Sequence, residues 1–288
     1  MGPATILATV SGGHGSNAVI EAAVALGRRF GAGVDFVHLH EDAAREVPIV
    51  AEAMSGAVLE PLIASAEEAV AARAKEARAL FEQRCVSDGL FVREPDATPE
   101  PGRFSVSYQD IEGDPIAEIA IKGRCYDLIV VGRPAEPTEQ SGALVVETAL
   151  MQGGRPLWIC PLGPGAVGEG TVAIAWNGTP EAARALGAAV PFAAQAGSAI
   201  VMTVRDHCDA EPESLRFYFA QHGIAAEFVT LEPDYRPVGE QLLEEATSRG
   251  AGLFAMGAYG HSRLREFVLG GVTRSILTDA KIPILMMH

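Results

Sequence analysis

Short, continuously apolar segments alternate with amphipathic, Ala-rich segments along the whole chain. Continuous rather than alternating apolarity predicts strands that are buried on both faces, as in a parallel sheet covered by helices. The amphipathic segments between them predict those helices. The apolar segments are Thr5–Val10, Val34–Leu39, Asp127–Gly132, Arg155–Cys160, Thr171–Trp176, Ala199–Val204, Gly252–Gly257 and Ile282–Met287.

The second half of this series repeats the first. A strand, a glycine turn, an Ala-rich helix and a second strand occupy Thr5–Leu39, and the same order returns at Thr171–Val204. The late strands match as well, since Asp127–Gly132 corresponds to Gly252–Gly257. A repeat of this length indicates two copies of one folding unit.

The predicted fold class is therefore α/β, with two repeated three-layer α/β/α domains that each contain a five-stranded parallel sheet. A Gly-rich linker divides the chain into domains at 1–163 and 170–288. The first domain carries an insertion with a long helix from about Val58 to Arg84, whose alternating charges are typical of a solvated face. The Pro-rich, acidic run Glu94–Pro101 predicts a surface loop.

Composition excludes several classes of function. The 288 residues are 48% hydrophobic and 20% charged, with a formal net charge of −15, so no basic patch indicates binding to nucleic acid or to an anionic membrane. No signal peptide is evident and no apolar run approaches the ~20 residues that span a bilayer, which predicts a cytoplasmic protein. The four cysteines form no CxxC pair, so neither a zinc knuckle nor a disulfide framework is indicated.

A glycine-rich loop follows the strand that ends at Gly257. Gly260 comes after two residues and Gly270-Gly271 after nine more, directly before the predicted last helix. Glycines let a ligand approach the main chain, and the free N–H groups of a helix start favour an anion. The loop also lies at the carboxyl ends of parallel strands, where open α/β sheets bind ligands.

The spacing Gly257-x2-Gly260-x9-Gly270 resembles the G-x2-G-x9-G-[S/T] signature of the universal stress protein family. With the repeat and the flanking strands, the whole chain resembles a tandem member with two family domains. The resemblance implies the adenine nucleotide alpha hydrolase-like, flavodoxin-like three-layer sandwich that pyrophosphatase-loop enzymes share. It also implies binding of ATP or AMP, with Mg²⁺ if the ligand is ATP.

The same resemblance assigns candidate binding residues in the second domain. The turn after its first strand and the end of its second strand would border the adenine, and the glycine loop would hold the ribose and phosphates. The residues at these positions are Trp176, Asn177, Gly178, Val204, Gly257, Gly260, His261, Gly270, Gly271, Val272 and Thr273.

Two of these positions depart from the family pattern. The usual Asp after the first strand is Asn177, which keeps a carbonyl acceptor but carries no charge. The Ser or Thr after the third glycine is Gly271, whose N–H still donates to phosphate while Thr273 supplies the nearest hydroxyl. A use of this loop as a fold element without a ligand therefore stays open.

In the first domain, Ser11-Gly-Gly-His-Gly-Ser16 follows the first strand and is similar to the SGGxDS loop of pyrophosphatase-type enzymes. Gly15 stands where that loop needs Asp, which argues against ATP cleavage there. In the partner loop, no glycine follows Gly132 after two residues, where the G-x2-G spacing needs its second glycine. This loop also carries Pro134 and Pro137, which have no N–H to donate. We expect no family-type phosphate site in this domain.

Histidines form three weaker groupings. His38 and His40 share one face of a strand end, a spacing that suits a metal pair, but strand-end histidines are more often not ligands. His14 and His261 lie on the two glycine loops, and His207-Cys208-Asp209 is a cluster without a partner in sequence. We assign no metal site and no catalytic residue.

The sequence thus predicts a nucleotide-binding regulatory protein of the stress response, with at most slow ATP hydrolysis. Its partners are a small-molecule nucleotide and the other half of its own chain, since the strands at Leu157–Cys160 and Ile284–Met287 can pair the domains edge to edge, and a homodimer is possible. The alternatives are a dimerisation or scaffold module that binds no nucleotide and a pyrophosphatase-loop enzyme acting through the Ser11–Ser16 loop.

Overall fold

Each half of the described chain forms five strands connected by helices, as the repeat predicts. The computed structural model describes residues 2–13, 15–40, 56–134, 140–163, 167–205, 212–258 and 280–288. The strands are β1 (Thr5–Thr9), β2 (Gly33–His40), β3 (Ser105–Glu112), β4 (Leu128–Gly132), β5 (Leu157–Cys160), β6 (Val172–Ala175), β7 (Ser198–Val204), β8 (Ala225–Leu231), β9 (Leu253–Gly257) and β10 (Ile284–Met287). The helices are α1 (Ser16–Phe30), α2 (Gly56–Asp88), α3 (Pro115–Gly123), α4 (Gln140–Gln152), α5 (Pro180–Ala196), α6 (Pro212–Gln221) and α7 (Val238–Ser248).

All ten strands belong to one sheet, in the order β3-β2-β1-β4-β5-β10-β9-β6-β7-β8. Within each half the strands are parallel and follow the same order, with the first strand in the middle and the second and fourth on either side of it. This parallel order confirms the predicted α/β fold class. The order reverses beside β1 and β6, and open α/β sheets bind ligands at such points.

Helices cover both faces of the sheet and complete three layers. On one face, apolar side chains of α1, α2, α5 and α6 join the sheet in one hydrophobic core. On the other face, α3, α4 and α7 bury a second core. The central strands are apolar on both sides because both faces are covered, which explains their uninterrupted hydrophobic runs.

The two halves meet where β5 pairs with β10 in antiparallel register, a contact that we call the seam. Trp158 lies opposite Leu285, and these two residues occupy equivalent positions in the repeat, two residues after Pro156 and Pro283. Trp158 is fully buried and its ring packs against Phe192 of α5, with centroids 5.4 Å apart. The pairing leaves β3 and β8 as the edges of the sheet.

Arg29 of α1 makes a second contact between the halves. Its guanidinium donates to the carbonyl oxygens of Gly168 and Phe192, each at 3.3 Å, and its Nε donates to Gln195. The same group lies over the rings of Phe30 and Phe192. Partial burial lowers the pKa of Arg29 from its ordinary value. Its contacts join α1 to α5.

The predicted long helix of the first half is confirmed and extends as α2 from Gly56 to Asp88. Most of its side chains between Glu60 and Asp88 are exposed, whereas Ala77 and Phe81 are buried against the sheet. Glu94–Pro101 lies in a loop with mostly exposed residues, as expected. None of the helices in the described ranges is long and apolar enough to cross a bilayer.

Candidate functional site

The candidate site of the second half lies at the carboxyl ends of β7, β6 and β9, which are neighbours in the sheet. Because these strands are parallel, the turn after β6 and the ends of β7 and β9 meet at one edge. Trp176, Asn177 and Gly178 form that turn, Val204 ends β7 and Gly257 ends β9. The N–H of Trp176 donates to the carbonyl of Met202 at 2.8 Å and ties the turn to β7.

Asn177 and Thr179 fix the shape of this turn. The side-chain oxygen of Asn177 accepts from the N–H of Thr179 at 3.2 Å and from its hydroxyl at 2.8 Å. The Thr179 hydroxyl oxygen accepts in turn from the N–H of Ala182 and caps α5. Gly178 has a φ of +77°, which favours glycine. The side-chain oxygen of Asn177, which an Asp at this position would also offer, is therefore used inside the turn. Asn177 is exposed, and its side-chain NH2 group can donate to a ligand.

Gly257 approaches the first turn of α5 so closely that no side chain fits. A Cβ at this position would lie 2.5 Å from the backbone nitrogen of Ala182 and 2.8 Å from the Cβ of Glu181. Glycine here lets β9 end against the helix that follows the Trp176–Gly178 turn. The start of the glycine loop is thus held beside that turn, and the N–H of Ala258 donates to Met287 at 2.8 Å on the other side.

The indole of Trp176 and the carboxylate of Glu181 are two polar groups of this edge that influence which ligand it can bind. The indole Nε1–H of half-buried Trp176 is a buried donor with no acceptor among the described residues. Glu181 pairs with Arg184 at 2.6 Å. Burial raises the pKa of Glu181, but its backbone hydrogen bond and Arg184 lower it further, so the net shift keeps this carboxylate ionised at neutral pH.

Sequence reasoning missed Thr179 and Glu181 as members of this edge. The signal was present in Asn177-Gly-Thr-Pro-Glu181, because Thr, Pro and Glu in succession are typical of a helix start. The remaining assigned residues lie outside the described part of the chain, so their predicted roles stay predictions. They are Gly260, His261, Gly270, Gly271, Val272 and Thr273.

The equivalent turn of the first half is closed on itself. The Ser16 hydroxyl accepts from the N–H of Gly13 at 3.1 Å and lies 3.4 Å from the hydroxyl of Ser11. Gly12, with a φ of +76°, packs so tightly on α2 that a Cβ would lie 2.2 Å from the carbonyl oxygen of Arg73. The long helix thus packs on this loop at Gly12, while Ser11 and Gly13 are exposed. His14 and the residues of the partner loop from 135 to 139 lie outside the described residues.

His38 and His40 lie at the carboxyl end of β2, on the face that carries Phe36. His38 is buried, and its Nδ1 lies 2.7 Å from the carbonyl oxygen of Val10. The Nε2 of His40 lies 3.3 Å from a carboxylate oxygen of Asp110 on β3. The ring centroids are 5.6 Å apart. The predicted sharing of one strand face is therefore confirmed, whereas His207, Cys208 and Asp209 lie outside the described residues.

Comparisons with known proteins agree with this architecture. Residues 170–288 match the profile of the Universal stress protein family. A universal stress protein from Archaeoglobus fulgidus DSM 4304 has the same fold, with a TM-score of 0.66 and 15% identity over 98% of this chain and 95% of its own. A functionally unknown protein from Pseudomonas aeruginosa PAO1 gives a TM-score of 0.61 and 12% identity over 99% and 92%. No curated protein matches the sequence.

Proposed function

The chain belongs, through residues 170–288, to the universal stress protein family, and from this premise we propose that its second half binds an adenine nucleotide, ATP or AMP. The base would lie against the turn at Trp176–Gly178 and the end of β7 at Val204. The ribose and phosphates would lie on the glycine loop that begins at Gly257. Binding would serve a regulatory role in the stress response, through conformation or partner contact rather than turnover.

The observation that carries the proposal is the close approach of Gly257 to α5. It brings the first glycine of the Gly257-x2-Gly260-x9-Gly270 spacing next to the turn that would border the base. The Nε1–H of Trp176 and the amide N–H of Asn177, for which the described part of the chain gives no acceptor, are donors in the turn after β6. An adenine ring offers nitrogen acceptors, so the groups present fit the base. If ATP is the ligand, Mg²⁺ would neutralise part of its phosphate charge.

We also propose that residues 1–163 and 170–288 act as two domains that are paired within one chain through the seam. The pairing of β5 with β10 supports this division, because it covers in each half the strand edge that would otherwise be open. The internal hydrogen bonds of the Ser11–Ser16 turn and its contact with α2 at Gly12 support placing the nucleotide in the second domain.

A thermal-shift measurement tests the nucleotide proposal. At ~100 times its dissociation constant a ligand stabilises the folded state by ~2.7 kcal/mol, which corresponds to a rise in Tm of about 5 °C. We expect ATP or AMP at millimolar concentration to raise the Tm, and Gly260→Glu to abolish the rise because a carboxylate would repel the phosphates. If neither nucleotide raises the Tm, the scaffold alternative is supported and the proposal fails.

Gly187→Glu is the matched control, because it adds the same charge at an exposed position in α5 where a side chain meets open space. This variant should keep the full nucleotide shift. A shift that survives Gly260→Glu would put the ligand elsewhere in the chain. Release of phosphate or pyrophosphate from ATP, followed in the same samples, would instead favour the enzyme alternative.

A further inference from the structure

Two buried imidazole nitrogens in the first half have no hydrogen-bond partner among the described residues. They are Nε2 of His38 and Nδ1 of His40, and both are shielded from solvent. Buried polar groups in folded proteins are nearly always satisfied, and an unsatisfied one calls for a bound water or ion. The nucleotide proposal for the second half uses neither side chain, so these nitrogens need a separate explanation.

The other nitrogen of each ring determines what the free one can do. A carbonyl oxygen only accepts hydrogen bonds, so Nδ1 of His38 must carry the proton that it shares with Val10 at 2.7 Å. The carboxylate oxygen of Asp110 lies 3.3 Å from Nε2 of His40 and favours a proton on that nitrogen. In the neutral rings the two remaining nitrogens are therefore lone-pair donors held in fixed orientations.

This arrangement is the one that metal-binding histidines adopt. A histidine that binds a metal nearly always donates its second N–H to a carboxylate or a backbone carbonyl, which fixes the tautomer and the orientation of the ring. Val10 and Asp110 supply one acceptor of each kind. A metal bonded to one nitrogen of each ring at about 2.0–2.1 Å keeps the two centroids within about 6.5 Å. The observed separation is 5.6 Å.

The fold itself does not require histidines here. The N–H of Val10 donates to the carbonyl of Val37, and the N–H of Trp176 donates to the carbonyl of Met202. These equivalent hydrogen bonds align Val37 with Met202 in the two halves of the repeat. Thr203 therefore stands where His38 does, and it lies opposite Thr230 where His38 lies opposite Asp110. The two threonine hydroxyls are 3.2 Å apart and satisfy each other. The same position in the second half thus has no unpartnered atom.

We propose that His38 and His40 bind a divalent transition-metal ion of the Zn²⁺ and Cu²⁺ class in the first half of the chain. Within the described ranges no group of three His, Cys, Asp or Glu residues forms a larger site, so the proposed ligands from this part of the chain are the two imidazole nitrogens. The net charge of −15 favours a cation. The borderline-soft imidazole ligands select transition metals over Mg²⁺ or Ca²⁺.

Titration of the metal-stripped full-length protein with Zn²⁺ and Cu²⁺ by calorimetry, together with Cu²⁺ electron paramagnetic resonance, tests the site. We expect one ion per chain at this site, tighter for Cu²⁺ than for Zn²⁺, and a Cu²⁺ spectrum with coupling to imidazole nitrogen. His40→Gln should weaken binding at least tenfold. Asp110→Asn, which alters only the group that orients His40, should weaken it by about 10- to 100-fold.

His222→Gln is the matched control, because His222 is an exposed histidine of the second half whose ring centroid lies 4.7 Å from that of Tyr218. It should leave the affinity unchanged. His38→Gln is the most direct variant, and if its fold is lost, His40→Gln and Asp110→Asn decide the question. The proposal is overturned if the wild type binds neither ion, which would leave water as the occupant, or if the affinity is the same in all three site variants.

Discussion

Replacing Trp158 by alanine is expected to lower the free energy of unfolding by about 3–5 kcal/mol, because it removes a fully buried aromatic side chain and leaves a cavity. The ring packs against Phe192 and against Gly168, where a Cβ would lie 2.4 Å from it. The cavity would open at the seam, on the antiparallel pair of Trp158 with Leu285. Chemical denaturation followed by circular dichroism gives the change in stability.

Tyr235→Ala is the control for this variant, because Tyr235 is 96% exposed and its removal should change stability by no more than about 0.5 kcal/mol. A loss below 1 kcal/mol for Trp158→Ala would contradict the role given to the seam. Separation of one unfolding transition into two in the variant would show that the seam couples the halves.

Replacing Asp35 by alanine is expected to cost about 3–5 kcal/mol, because it leaves the buried cation of Arg93 with backbone carbonyl acceptors but without its carboxylate partner. The Arg93 side chain is only 6% exposed. Asp35 also accepts from the hydroxyls of Ser107 and Tyr126, the latter at 2.8 Å. Burial, followed by the neighbouring Asp35 carboxylate, raises the pKa of Tyr126 above its ordinary value, so this hydroxyl stays a donor.

Glu100→Ala is the matched control, since it removes a carboxylate from Arg103 in a pair whose side chains are 70% and 58% exposed. Exposed pairs contribute about 0–1 kcal/mol, so the control should change little. Equal losses in the two variants, measured by the same denaturation, would show that burial of Arg93 does not set the energy of this network.

The edge strands carry a weaker signal in the amino-acid sequence. The central strands β1, β4, β6 and β9 are buried on both faces, and their apolar runs locate them in the sequence. β8 lies at the edge and is largely half-exposed or exposed, so its residues carry no continuous apolar run. Five strands were predicted for each domain, but the position of this one became visible only in the fold.

The candidate site divides in a similar way. The glycine spacing and the repeat located the turn at Trp176–Gly178 and the end of β9 without a structure. The sequence could not show that the carbonyl of Asn177 is used by Thr179, because that contact depends on the turn geometry. Nor could it show that Gly12 packs on the backbone of Arg73, because these residues meet only after α2 packs against α1, β2 and β3.

The sequence by itself determined the α/β class, the duplication and the place of the glycine loop, because hydrophobic periodicity and glycine spacing are local properties of the chain. The tertiary structure alone decided how the halves join, which turn packs on α2 and what surrounds His38 and His40. Val10, Asp110 and the two rings come from three separate parts of the chain, and only strand register brings them close together. Their proximity is the basis of the proposal that this pair of strand-end histidines binds a metal ion.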